Sequence, residues 1–203
     1  MSSVTDTSTS RQRLVTAMAE LLWEKGYAAT SPRDVMSATG VGQGSFYHHF
    51  SGKHELAVEA IRENVAAALA GDPAPSSQDS ALTQIEERLL RPRPGTKGCR
   101  VGRMTQDPKV VEDPEMLDII AGAFDTMRDR WETLVSSAVD RRELPADTDV
   151  RALCDALAAV IQGGYVLARA RGSQEPMDSA IRGMVALLDA AASTTHHTDK
   201  EQK

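Results

Sequence analysis

The residues between Gln43 and His48 have the chemistry needed to recognise double-stranded DNA. The Gln43 amide could pair with adenine through two hydrogen bonds or remain solvated, and the Ser45 hydroxyl can bond to a base edge. Gly44 has no side chain and would allow the backbone to approach a base. Tyr47 and His48 add an aromatic ring and an imidazole to the same outward side of one helix. Such a face is what a helix needs to enter the major groove.

Two short helices joined by a tight turn must position these residues. Thr30 or Ser31 can cap the first helix by accepting a bond from a free backbone N–H, and Pro32 suits its first position. Gly40 then supplies the backbone freedom for a sharp turn. The segment therefore predicts a helix that starts cleanly and stops abruptly.

The second helix should bury one side and leave the other free. Phe46 and Phe50 fall one turn apart, on the side that would pack with Val41. The polar residues described above point roughly the other way. This arrangement is a helix-turn-helix pattern.

The stretch GVGQGSFYHHFSGKHEL resembles the recognition segment of the TetR family of bacterial transcriptional repressors, as does RQRLVTAMAELLWEKGYAATSPRDV before it. The match is close over about the first quarter of the chain and holds only in outline beyond. The resemblance implies an all-α protein, with a helix-turn-helix DNA-binding domain at 1–52 and a helical effector-binding and dimerisation domain at 53–203. It also implies a homodimeric repressor that a small-molecule inducer releases from a pseudo-palindromic operator.

Several residues around the motif are candidates for DNA contact. By the resemblance, Tyr47 would contact a phosphate or sugar, whereas His49 could equally be a packing residue or a phosphate donor. Lys53 begins the next helix, where its ammonium and the free N–H groups favour a phosphate. Arg33 could reach a guanine or phosphate, or pair with Asp34 or Glu55. The predicted DNA-contacting residues are Ser31, Arg33, Gln43, Gly44, Ser45, Tyr47, His48, His49 and Lys53.

The charge of the chain limits how it could bind DNA. The 203 residues carry a net charge of −6, which argues against a general attraction to nucleic acid, so a positive field must be local. Between residues 31 and 54, Arg33 and Lys53 oppose Asp34 alone, and three histidines lie close by. This patch is mildly positive.

Other classes of protein lack support in the sequence. Cys99 and Cys154 have no paired spacing, which indicates neither a disulfide framework nor a zinc site and favours small apolar fillers. No export signal and no run near the roughly 18 apolar residues of a membrane span is evident, so we expect a cytoplasmic protein. The patterns GxxxxGK[ST], HExxH and GxSxG do not occur, and we expect no enzymatic activity, cofactor or metal.

Apolar periodicity and proline positions predict helices along the whole chain, and no strand-like alternation is convincing. A first helix should run from Arg11 to the stop at Gly26, and a fourth should be capped by Ser51 and end near Gly71. We expect the polar ends, 1–10 and 193–203, to lack fixed structure. The remaining predicted helices are 80–91, 97–106, 114–142, 148–171 and 176–192, with a turn near Pro108.

The last two predicted helices carry more apolar surface than one bundle layer needs. Gly163 and Gly164 lie within a helix at a cost of about 1 kcal/mol each, which makes sense where another helix comes close. A monomer core is the alternative explanation; the resemblance instead implies a four-helix dimer interface through 148–171 and 176–192. The apolar residues concerned are Leu153, Leu157, Val160, Ile161, Val166, Leu167, Ile181, Met184, Val185, Leu187 and Leu188.

Methionines and large aromatic residues are concentrated in the middle helices. Methionine is flexible and polarizable, so this group could line a pocket for an apolar or amphipathic molecule, or could be ordinary core. Arg103 and Gln106 are further possible polar contacts. The resemblance implies that such a ligand changes the separation of the two DNA-reading heads. The predicted ligand-contacting residues are Met104, Met116, Ile120, Phe124, Met127, Trp131, Gln162 and Tyr165.

An alternative function is an all-α small-molecule sensor or interaction protein that keeps this fold without reading DNA. The acidic balance of the chain is its main support. Salt dependence separates the two, because a DNA-binding protein loses affinity steeply between about 50 and 200 mM salt through counterion release.

Overall fold

Helices account for the regular structure of the protein. The computed structural model describes residues 9–71, 76 and 78–201, and no strand occurs within them. The predicted all-α fold is therefore confirmed. The helices are α1 Ser10–Glu24, α2 Pro32–Thr39, α3 Gln43–His49, α4 Lys53–Ala70, α5 Ala81–Leu90, α6 Pro108–Val111, α7 Pro114–Asp140, α8 Val150–Arg171 and α9 Glu175–Glu201.

The segment after α5 differs from the sequence-based prediction. Instead of one helix over 97–106, the chain forms two short 3₁₀ helices, Gly95–Lys97 and Gly102–Gln106. Gly98 lies between them with a φ of 88°, a left-handed conformation that interrupts a helix and that glycine adopts at little cost. The region around Pro108 forms the one-turn helix α6 rather than a simple turn.

The predictions for the helix ends are partly wrong. Thr9 caps α1 and Ser10 begins it, while the rest of the predicted amino-terminal arm lies outside the described residues. The start of α4 reverses the expected cap, since the Glu55 carboxylate accepts bonds from the Ser51 N–H and hydroxyl, both at 2.7 Å. At the other end α9 continues to Glu201, through a segment whose composition predicts no structure.

The chain divides into two compact units. The first comprises residues up to 70 together with 100–123. Here α1 packs against α4, α2 and α3. Fully buried core residues include Leu14, Met18, Phe46, Leu56 and Ile61.

The second unit comprises residues 71–99 and 124–203. Its core joins α5, the later part of α7, α8 and α9, around residues such as Ile85, Leu89 and Trp131. Arg88 is also buried here, with its guanidinium carbon 5.2 Å from the centroid of the Trp131 ring. Burial raises the pKa of the Cys154 thiol to about 11, so this cysteine remains protonated at neutral pH.

Part of the apolar surface predicted for a dimer instead belongs to the core of this unit. Leu157, Ile181 and Leu188 are buried within the chain itself. The close approach expected at Gly164 also occurs within the chain, because a Cβ there would lie 3.1 Å from Cγ of Met177 in α9. Periodicity reports that a face is apolar, not which molecule covers it.

The helix α8 is long and apolar enough to cross a membrane by length and composition, so the prediction that the chain has no such run is wrong. Only 17% of its most apolar window is buried within the chain. Most of this helix is therefore accessible.

Two adjacent leucines provide a test of the core of the second unit. Leu89 is fully buried, whereas Leu90 is 55% exposed. We expect Leu89→Ala to lower the free energy of unfolding by about 2 to 5 kcal/mol, because it removes buried methyl groups and leaves a cavity. Leu90→Ala is the matched control and should cost less than about 1 kcal/mol. Urea unfolding measures both values, and equal losses would contradict this packing.

Candidate nucleic-acid interface

Ser31 caps the first helix of the motif, as the sequence predicts, and Asp34 makes this cap reciprocal. The Ser31 hydroxyl oxygen accepts a bond from the Asp34 N–H at 3.2 Å. In return the Asp34 carboxylate accepts from the Ser31 N–H at 2.7 Å and from its hydroxyl at 2.6 Å. These bonds, that of the hydroxyl first, lower the pKa of Asp34. The capping box fixes where α2 starts.

The turn depends on Gly40 and on two side chains around it. Gly40 has a φ of 67°, and its N–H donates to the Met36 carbonyl at 2.9 Å. The Thr39 hydroxyl donates to the Val35 carbonyl and accepts from the Val41 N–H. The Arg13 guanidinium of α1 donates to the Thr39 carbonyl. The end of α2 is thus held from two directions.

Two phenylalanines anchor the second helix of the motif. Phe46 and Phe50 are buried, with ring centroids 6.3 Å apart. The Arg11 guanidinium lies 5.2 Å from the Phe50 ring centroid and also pairs with Glu59 at 3.1 Å. This packing confirms the predicted inner side of α3.

The opposite side of α3 is open. Tyr47 is 53% exposed, and its ring rests edge-on against Phe46 with centroids 5.1 Å apart. Gln43, Gly44 and His48 are also exposed. A Cβ added at Gly44 would meet no atom within 4 Å, so the backbone there is accessible to a base.

The other predicted contact residues lie at the margins of this face. Ser45 and His49 are half-buried. Ser31 is exposed but bonds to Asp34, as described above. Arg33 is exposed too. Its predicted alternative partners, Asp34 and Glu55, bond to Ser31 and Ser51, and after the Ser31 bonds the charge of Arg33 also lowers the pKa of Asp34.

Lys53 has partners within the chain. Its ammonium donates to the Tyr27 carbonyl at 2.6 Å and lies 4.0 Å from the Tyr27 ring centroid. Desolvation lowers the pKa of Lys53, against the opposing influence of Asp107 and Asp34. An ammonium has three N–H donors, so Lys53 can donate to the Tyr27 carbonyl and to a phosphate at the same time. The bond to Tyr27 already positions this ammonium.

Two arginines outside the motif also support it, and the sequence analysis did not identify this role. The Arg100 guanidinium donates to Glu20 Oε1 at 2.5 Å and to Asn64 Oδ1 at 2.9 Å, and lies 3.9 Å from the Trp23 ring centroid. Arg103, predicted as a possible ligand contact, donates to the Trp23 carbonyl. Both arginines therefore fix the end of α1.

Two aspartates act in the same way on the loop after α1 and on the start of α4. Asp107 accepts from the Ala28 N–H at 2.7 Å. Asp113 lies 2.8 Å from His54 Nε2 and accepts from the Met116 N–H at 3.0 Å. The Met116 bond is the largest cause that lowers the pKa of Asp113, and the His54 bond adds to it. Each aspartate thus bonds to a residue close to α2 or within α4.

The predicted ligand-contacting residues fall in both units. Met104, Met116 and Ile120 are buried in the first unit, and Trp131 is buried in the second. Phe124, Met127, Gln162 and Tyr165 are half-buried in the second. Burial raises the pKa of Tyr165 to about 12, so its hydroxyl remains a hydrogen-bond donor at neutral pH. Their role in ligand binding stays a prediction.

Within the described residues, no group of three or more His, Cys, Asp or Glu side chains could hold a metal ion.

Comparisons with known proteins match both parts of the chain. The family model "Bacterial regulatory proteins, tetR family" matches residues 14–60, and "Tetracyclin repressor-like, C-terminal domain" matches residues 80–184. The chain is 30% identical over 185 residues to the transcriptional regulator AcuR of Cereibacter sphaeroides, covering 87% of this chain and 84% of that protein. The HTH-type transcriptional repressor KstR2 of Rhodococcus jostii is 40% identical over 52 residues, which cover 26% of each chain. The crystal structure of the regulatory protein TetR from Rhodobacter sphaeroides is similar with a TM-score of 0.69 and 26% identity, covering 88% of this chain and 98% of that chain.

The capping box can be tested by removing one hydroxyl. Ser31→Ala should lower the free energy of unfolding by about 1 kcal/mol, because it leaves a helix N–H without its partner. Ser37→Ala is the matched control, since Ser37 lies exposed in the same helix. Thermal or urea unfolding measures the difference.

The same box should respond to pH. Because the pKa of folded Asp34 lies below its ordinary value of 3.8, its stabilising effect is present above that pH and is lost as the pH falls through the folded pKa. The stability gap between the wild type and Asp34→Asn should therefore shrink below pH 3.8. A gap that stays constant on acidification would contradict the assignment.

Proposed function

Since this chain belongs to the TetR family of bacterial regulatory proteins, which are DNA-binding transcriptional regulators, we propose that it acts as a homodimeric repressor. Its two α3 helices would read a pseudo-palindromic operator, and a small apolar or amphipathic inducer would release it. Residues 1–52 would form the DNA-binding domain, and 53–203 the effector-binding and dimerisation domain. The similar proteins are regulators rather than enzymes, as the absence of catalytic motifs predicts.

The observation that carries the proposal is the two-sided character of α3. Phe46 and Phe50 are buried beneath it, while Gly44, Tyr47 and His48 remain exposed. A polar face with little steric bulk around Gly44 supports entry into the major groove. The Tyr47 hydroxyl and the Lys53 ammonium would bond to phosphates on either side.

Exposed apolar faces on α8 and α9 support the homodimer. Val166 and Leu167 are 53% and 52% exposed, and Leu187 is 67% exposed. A Cβ added at Gly163 or Gly183 would meet no atom within 4 Å, so both helices present open backbone. Ala156, Ala159 and Ala170 share the side of Gly163 by helical spacing.

Helices with small residues on an open apolar face can approach each other closely, and such a patch is typical of a protein interface. A partner helix would cover the same surface that makes α8 resemble a membrane span. Dimerisation therefore accounts for α8 without a membrane, and we propose a cytoplasmic protein.

The contacts of Arg100, Arg103, Asp107 and Asp113 support ligand response. These four residues link the segment before α7 to the end of α1, the α1–α2 loop and the start of α4. Ligand-induced movement of this segment would reorient the helices that hold α3.

A double substitution tests DNA binding. Tyr47→Ala with Lys53→Ala should abolish gel-shift binding to a duplex selected from a random pool, because it removes two proposed phosphate contacts. Lys109→Ala is the control, since Lys109 lies in α6, pairs with Glu112 and is not a predicted DNA contact. Tyr47→Phe should lose less than Tyr47→Ala, because it keeps the ring against Phe46.

Two outcomes of that experiment would contradict the proposal. One is retained affinity in the double variant with an unchanged melting temperature. The other is wild-type affinity that hardly changes between about 50 and 200 mM salt, which would favour a sensor that does not read DNA.

A charge on α8 tests the dimer. Leu167→Glu should convert the wild-type dimer to a monomer of 21.9 kDa, because it places a carboxylate in an apolar interface. Leu117→Glu is the control, since Leu117 is an exposed leucine of the first unit. Light scattering after size-exclusion chromatography gives the masses. A monomeric wild type, or a dimeric Leu167→Glu variant, would refute this interface.

A further inference from the structure

A cleft in the second unit is lined by none of the residues predicted to bind the inducer. It lies between the end of α5, with residues 91–93 that follow it, and the first turns of α9, and its volume is about 460 Å³. Ligand pockets in proteins have volumes of about 300 to 1,000 Å³. The cleft is therefore large enough for a small molecule.

Some of the residues that line the cleft are apolar. Leu89, Met177 and Ile181 line it and are buried. Leu90 lines it as well but is 55% exposed, although its neighbour in α5 is fully buried. An apolar group placed in the cleft would remove the Leu90 side chain from water, which is favourable.

Other residues that line the cleft are positively charged. Arg91, Arg93 and Arg182 line it, against the single carboxylate of Asp178. The Arg93 guanidinium donates to the carbonyls of Leu89 and Arg88, both at 2.6 Å, so its position is fixed. Asp178 already accepts a bond from the Gln174 amide at 2.9 Å. An excess of guanidinium groups beside apolar surface favours an anion that carries a hydrocarbon portion.

This cleft lies away from the apolar face of α9 that we assign to the dimer. Arg182 precedes Leu187 by five residues, and 3.6 residues per turn place the two about 140° apart around the helix. A ligand in the cleft and a partner subunit would therefore occupy different sides of α9.

We infer that this cleft binds a small carboxylate with an apolar tail. The carboxylate would bond to Arg182, which is exposed at the rim, in the field of Arg91 and Arg93. The tail would lie along Leu90 and Ile181. This is a second ligand site, independent of DNA binding and of the predicted inducer pocket.

Calorimetric titration of the full-length protein with octanoate tests the inference without DNA, so its outcome is independent of the regulator function. Arg182→Gln should weaken binding about fivefold, and Leu90→Ser should weaken it about threefold. The control Arg169→Gln, an exposed arginine of α8 that does not line the cleft, should stay within about twofold of the wild type. Because the substituted side chains are exposed, melting temperatures should be unchanged, and circular dichroism checks this.

Two further probes separate the contribution of the carboxylate to binding from that of the apolar tail. Acetate has the charge without the tail, and 1-octanol has the tail without the charge, so both should bind more weakly than octanoate. The inference is overturned if octanoate does not bind, if 1-octanol binds equally well, or if the three variants behave alike. It is also overturned if only one of the two cleft variants weakens binding, because the site requires both of its parts.

Discussion

The burial of Phe46 and Phe50 is the interaction on which the surface proposed to read DNA depends. Seven residues form α3, too few for a helix to be stable by itself in water. The two rings hold this helix against α1 and so determine which side faces outward. Because Phe46 and Phe50 are turned inward, their neighbour Tyr47 lies on the outward side of α3 and is exposed.

Charge acts locally in this protein. The chain as a whole carries −6, yet acidic groups near the motif are engaged in bonds that build it. Asp34 caps α2, Glu55 bonds to Ser51, and Asp107 holds the Ala28 N–H. These hydrogen bonds leave the carboxylates negatively charged, so a field that attracts phosphates must come from cations close to the open side of α3, whatever the net charge of the chain.

Short-range chemistry made the motif predictable from sequence. Ser31, Pro32 and Gly40 act on backbone groups within a few residues, so their types alone predicted the start of α2 and the turn. The helix predicted over 97–106 was wrong, because the apolar pattern of this segment resembles that of a helix while its glycines allow other conformations. The Arg100 pairing with Glu20 spans 80 positions, and no local pattern reports such a contact. Periodicity also could not distinguish Leu157, covered by its own chain, from the exposed Leu167.

The open side of α3 is the surface that we propose to contact DNA. Hydrogen–deuterium exchange, with and without a duplex selected from a random pool, tests this most directly because it reports on each segment of the backbone. We expect slower exchange over residues 42–53 in the complex, beyond any change in α5. Slower exchange confined to other segments, with residues 42–53 unchanged, would contradict the account.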